Sequence, residues 1–285
     1  MEALLAGRSA PMLSRANHDK VSLHRTVRES QMMPMTEPTQ PTAAVLVIGD
    51  EILSGRTQDT NLAHIAGFLG ALGIDLCEAR VVRDVEAEIV AAVNALRARY
   101  TYVFTTGGIG PTHDDVTADS VARAFGVGID YHPEVLALLG ARYKPGEFNE
   151  MRKRMARIPD GASLIRNSVS GAPGFQLGNV FVMAGVPMIM RAMLEDVEPR
   201  LARGRVVVAE TISARIPEGR IAGPLARIQS EHKDVAIGSY PFYREDGSGV
   251  QLVVRGRDGT AVEAAARAVE MALIAEGAEP IRTRP

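Results

Sequence analysis

The chain has 285 residues, 46% of them hydrophobic and 23% charged, with a net charge of −2. That length holds one large domain or a domain with a small appendage, and the near-neutral balance excludes a polybasic nucleic-acid or membrane-surface protein. The single cysteine, Cys77, excludes an intrachain disulfide and a zinc site built mainly of thiolates, and no run reaches the ~20 apolar residues of a membrane span, so the composition points to the cytoplasm.

Residues 1–42 mix Arg, Ser, Met and Pro with no helical or strand period and no signal-peptide apolar core. They are expected to be disordered or an over-extended translation start, with Met35 just ahead of the first strand. From residue 43 the order is strand, helix, strand, helix, strand, helix. Residues 44–48 read as a buried strand ending in Gly49-Asp50-Glu51. Residues 59–72 read as a helix with Leu62, Ile65, Leu69 and Leu72 on one face and Gly73 as its stop. A strand at 79–82 and a helix at 84–98 follow, then the β-branched and aromatic strand 102–106.

This last strand runs into Gly107-Gly108-Ile109-Gly110-Pro111-Thr112-His113-Asp114-Asp115-Val116-Thr117 and then a helical period over 116–125, closed by Gly126. A glycine-rich strand-to-helix turn gathers N–H groups and a helix N-terminus at one point, which favours an anion such as phosphate. Two adjacent carboxylates there suit a metal ion or a proton transfer, although either could be no more than an N-cap. His113 could serve as a general acid or base, contact phosphate, or simply be exposed. Residues 133–158 read as a charged helical stretch, and 175–176 with 179–183 as strands of a hairpin around Leu177-Gly178. A helix from Val186-Pro187 to about 201 completes this part. The remainder reads strand 206–211, helix 219–231, strands 235–240 and 250–255, and helix 260–276.

Alternating strands and helices predict an α/β domain over 43–203, a three-layer, mostly parallel sheet with helices on both faces. A small C-terminal α+β unit is expected over 204–285. In parallel sheets ligands bind beyond the C-terminal strand ends. Gly49-Asp50-Glu51, Arg83-Asp84 and the glycine turn should therefore share one rim.

Residues 47–201 resemble the molybdopterin-binding superfamily of MogA, MoaB and gephyrin, and above all the competence/damage-inducible protein A (CinA) family and the molybdopterin-binding-like domain of eukaryotic FAD synthases. The resemblance is carried by Gly49-Asp50-Glu51-Ile52-Leu53-Ser54-Gly55 with Asp59-Thr60-Asn61, by the eleven-residue glycine turn, and by Gly171-Ala172-Pro173-Gly174-Phe175 and Gly185-Val186-Pro187. Ala184 departs from the family's frequent Pro-Gly-x-Pro. The resemblance implies a MogA/MoaB-like fold and catalytic roles for Asp84 and Asp115, with Asp114 beside them. It implies ligand contacts from Gly107, Gly108, Gly110, Thr112, Thr117, Asp50, Glu51, Asn61, Gly185 and Pro187. Asp84 also has the sequence context of an N-cap, a role compatible with the functional one.

The ligand implied is a small phosphorylated molecule, either molybdopterin or a nucleotide, with no nucleic acid or membrane partner. Asp84 and Asp115 would hold a divalent cation, magnesium or cobalt. The leading expectation is a metal-dependent pyrophosphatase acting on a dinucleotide such as ADP-ribose or FAD. The alternatives are a molybdopterin adenylyltransferase and a non-catalytic molybdopterin or nucleotide carrier. Family members are commonly homo-oligomers, which the resemblance carries over to this chain as an expectation.

Overall fold

The computed structural model describes residues 40–144, 146–244 and 247–283. The expectation of disorder over 1–42 lies outside these residues as far as residue 39. Strand β1 (Thr42–Ile48) already starts at Thr42, and every residue from Ala43 to Ile48 is buried. A strand that is apolar on both faces belongs at the centre of a covered sheet.

That sheet has the order β2-β1-β3-β8-β7-β6, with β2 at Asp75–Val82, β3 at Tyr102–Thr106, β8 at Val180–Met183, β7 at Gly174–Leu177 and β6 at Ser163–Ile165. Pairing is parallel from β2 to β8 and antiparallel at β7 and β6. The reversal comes from the β7–β8 hairpin, whose turn is Gly178-Asn179, one residue later than the sequence signal. Asn179 donates to the carbonyls of Arg97 at 3.0 Å and Tyr100 at 2.9 Å, fixing the hairpin beside the entry to β3.

The period-2 alternation of β1 sorts the core into two layers. Ala43, Val45 and Val47 pack with Phe104 and Phe181 under α2 (Asn61–Ala71) and α7 (Pro187–Val197). Ala44, Leu46 and Ile48 pack with Val103 and Val182 under α3 (Glu86–Arg97), α4 (Thr117–Phe125) and α5 (Pro133–Gly140). Phe104 and Phe181 stack across neighbouring strands, with centroids 5.2 Å apart.

The stretch 133–158 is helical only in part. Helix α5 ends at Gly140, and a short α6 (Glu150–Lys153) leads into β5 (Arg157–Pro159), which pairs antiparallel with β4 (Ile129–Tyr131). The Pro145-Gly146 dipeptide interrupts the helical period, and three-residue strands leave no alternation to read.

After residue 207 a second body forms around its own antiparallel sheet, β10-β11-β9-β12. Its elements are β9 (Val208–Ala214), α8 (Glu218–Glu231), β10 (Val235–Arg244), β11 (Gly247–Gly256), α9 (Gly259–Ala275) and β12 (Ile281–Thr283). Ile212, Leu252 and Val254 on the sheet pack against Ile221, Val262 and Val269 on the helices. Arg282 on β12 is ion-paired with Glu210, Glu263 and Glu270. The second body is tied to the first by Arg257, whose Nη2 donates to both oxygens of Asp75 at 2.5 and 2.7 Å. Ahead of the second body, Gly204 N donates to Leu72 O at 3.0 Å. Among the described residues no helix is long and apolar enough to cross a membrane.

Candidate functional site

The C-terminal ends of β1, β2 and β3 converge as parallel strands must, and each ends in polar residues. Gly49 N donates to Val82 O at 3.1 Å, stitching β1 to β2. Asp50 and Glu51 then open the short helix α1 (Asp50–Leu53). Asp84 does not cap α3: Val85 occupies that position, with no side-chain capping bond. Asp84 Oδ2 instead accepts the Asp50 N–H at 2.8 Å, and Arg83 Nε donates to Asp50 Oδ1 at 3.2 Å. Partial burial pushes the Asp84 carboxyl above its ordinary range, and the charges of Glu51, Asp50 and Asp114 push the same way against the Asp50 N–H bond. Asp114 moves in the opposite direction, held low first by the nearby Thr112 hydroxyl, although that hydroxyl's hydrogen bond goes to Asp115.

The glycine turn is built around Asp115. Its Oδ1 accepts Gly110 N at 2.7 Å, and its Oδ2 accepts Thr112 N at 2.7 Å and the Thr112 hydroxyl. It is not an N-cap either, since Val116 holds that position on α4. Thr117, fully buried, donates its hydroxyl to Gly107 O and its N–H to Gly108 O, both at 3.0 Å. Gly107 and Gly108 have φ of 102° and 69°, a conformation L side chains rarely adopt. A Cβ at Gly107 would meet the Ile48 carbonyl and one at Gly108 the Thr117 hydroxyl.

These bonds redistribute the expected phosphate donors. Gly107 N is bonded to Met183 O at 3.2 Å, and the Gly110, Thr112 and Thr117 donors hold the loop itself. The N–H groups of Gly108 and Ile109 carry no hydrogen bond among the described residues. Both residues line the cleft, so these donors are open to an anion.

The opposite wall is the entry to α7. Gly185 and Pro187 line the same cleft of about 540 Å³ as Glu51, Gly108 and Asp115. Asn61, at the start of α2, ties the walls together by donating Nδ2 to Gly185 O at 2.7 Å. His113 is 94% exposed at its side chain, with only a loose 3.9 Å approach to Asp114. Among the described residues no three His, Cys, Asp or Glu side chains converge on a metal-sized site. Asp84, crowded by like charge, fits a cation. Asp115 lines the same cleft but spends three hydrogen bonds on the turn, one at Oδ1 and two at Oδ2.

Sequence reasoning missed Arg154. Its Nη2 reaches Asp115 O at 3.4 Å, and its buried Nε has no partner among the described residues, so a guanidinium lies beneath the turn. It sits in the run Met151-Arg152-Lys153-Arg154, where nothing marks one cation from the next.

Residues 44–203 match the model of a family described as "Probable molybdopterin binding domain", and residues 206–280 that of "FAD synthase, middle domain". A protein of Thermococcus kodakarensis is 36% identical over 231 residues, 76% of this chain and 91% of its own. A CinA-like protein of Geobacter sp. (strain M21) is 37% identical over 199 residues, covering 62% of this chain. The match spans 48% of that relative, about half its length. The crystal structure of the protein CinA from Thermoplasma acidophilum, 34% identical, superposes with a TM-score of 0.54 over 56% of this chain and 98% of that one.

Proposed function

Since this chain belongs to the molybdopterin-binding domain family, with CinA-like proteins among its relatives, we propose that its rim binds a pyrophosphate-bearing nucleotide and hydrolyses the pyrophosphate. The observation that carries this reading is the juxtaposition of two kinds of group at one strand-end rim. The unbonded N–H groups of Gly108 and Ile109 suit an anion, and the raised carboxyl of Asp84 suits proton transfer.

Water attack on phosphorus needs positioning and charge stabilisation more than a covalent nucleophile. The loop clamped by Asp115 supplies fixed donors. Arg154 adds positive charge beneath them. Asp84 would take the proton from water, and a divalent cation held at the same acidic rim would lend charge neutralisation to the phosphate. Magnesium commonly uses one or two carboxylates with water and substrate oxygens, so a three-carboxylate cage is not required.

A cleft with donors for an anion serves, as a second reading, a non-catalytic molybdopterin or nucleotide carrier equally well. Incubation with ADP-ribose, FAD and related dinucleotides, with magnesium or cobalt, tests both. AMP release that stops on chelation and falls about a hundredfold or more in Asp84→Asn supports hydrolysis. Tight binding without turnover moves the carrier reading ahead. Adenylyl transfer to molybdopterin without hydrolysis would indicate a transferase.

A further inference from the structure

At the inner end of the cleft, between the end of β3 and the start of α2, lies a smaller cavity of about 70 Å³ lined in part by Asn61, Thr106, Glu51 and Gly107. Asn61 is 4% exposed and Thr106 1%, yet Asn61 Oδ1 and Thr106 Oγ1 have no hydrogen-bond partner among the described residues. Buried polar atoms are normally bonded, and exceptions call for an explanation.

The Asn61 amide is oriented by its own bond. Only Nδ2 can donate to the Gly185 carbonyl, so Oδ1 is the atom left over. Thr106 is set by strand alternation, on the same face of the sheet as Phe104 and α2. The nearby Gly107 N–H is already taken by Met183 O. What the cavity offers is oxygen: an amide carbonyl, a hydroxyl and the Glu51 carboxylate. Water can satisfy such a pair in the free protein, and a ligand group with N–H donors can replace that water.

We propose that Asn61 and Thr106 form a base-reading subsite, selecting a flat heterocycle that carries an exocyclic amino group over its oxo analogue. The proposal rests on the nucleotide reading above and specifies it. The amino group donates to Asn61 Oδ1, and the Thr106 hydroxyl completes the contact with a ring nitrogen. An oxo group at that position sets oxygen against oxygen. The subsite shares Gly107 with the main cleft, so ring and phosphate would sit on either side of the glycine turn.

Calorimetry with AMP, IMP and inorganic pyrophosphate tests this. Wild type is expected to bind AMP at least about tenfold more tightly than IMP, since a site built to hydrogen-bond one group rejects an analogue lacking it. Asn61→Leu should bring the two affinities together. Thr106→Val, which keeps the β-branched shape, should weaken AMP binding while pyrophosphate binding is unchanged. Should Asn61→Leu fail to fold, the wild-type preference and the AMP affinity of Thr106→Val decide. Equal binding of AMP and IMP by wild type, an undiminished preference in Asn61→Leu, or AMP binding unchanged in Thr106→Val overturns the subsite and leaves the phosphate reading standing. Failure of all three probes to bind overturns both.

Discussion

At the scale of single residues, Asp115 and Asp84 differ more than their shared charge suggests. Asp115 holds the glycine turn by accepting three bonds, two of them at Oδ2. Asp115→Asn turns one end of that acceptor into a donor facing other donors. A loss of about 1–3 kcal/mol of stability and weaker pyrophosphate binding are expected. Wild-type melting and affinity would refute the clamp. Asp84→Asn, by contrast, keeps an oxygen for the Asp50 N–H. Asp84 retains its proton to higher pH in the folded chain than in the unfolded one. Folding therefore binds a proton just above the ordinary carboxylate range, and stability falls as pH rises through that window. At neutral pH the ionised carboxylate is a net cost, kept small by its partial exposure. Asp84→Asn should melt about 1–3 °C higher near pH 7, with the gain gone below about pH 4. A lower melting point at neutral pH would count against this account. The glycine turn and its acidic pair were legible because glycine spacing and carboxylates are explicit in sequence. Which N–H groups face outward was not, because that depends on partners such as Met183, contributed by β8.

At the scale of elements, the regular period of β1, α2 and α3 made them readable, and their ends shifted only by a few residues. β4, β5 and β12 are three residues each and gave no period. β12 matters despite its length, because Arg282 brings one cation to three carboxylates. Arg267 first and Arg282 next hold Glu263 down to about 2, against the opposing effect of its burial. A depressed carboxylate stabilises the fold above its unfolded range, and that contribution is lost as pH falls toward about 2. Arg282→Met takes the Arg282 ion pair from Glu210, a side chain 9% exposed, and from Glu263 and Glu270. Removing one side of such a pair is destabilising. Hydrogen exchange should therefore accelerate in β9 and β11 and leave β1 and β3 protected. Uniform protection across both sheets would refute it.

At the scale of the whole molecule, composition suggested room for an appendage but not where it docks. The ion pair that joins the bodies links residues 182 apart in sequence, and neither Asp75 nor Arg257 carries a motif. Arg257→Ala should separate calorimetric unfolding into two transitions and speed proteolysis near Arg205. One transition at the wild-type midpoint would show that the ion pair does not couple the bodies. The position of that joint has a geometric corollary. β2 starts at Asp75, where the second body is fastened, and ends at Val82, beside the acidic rim. A strand of that length spans roughly 25 Å, so the joint to the second body and the acidic rim lie at opposite ends of one strand.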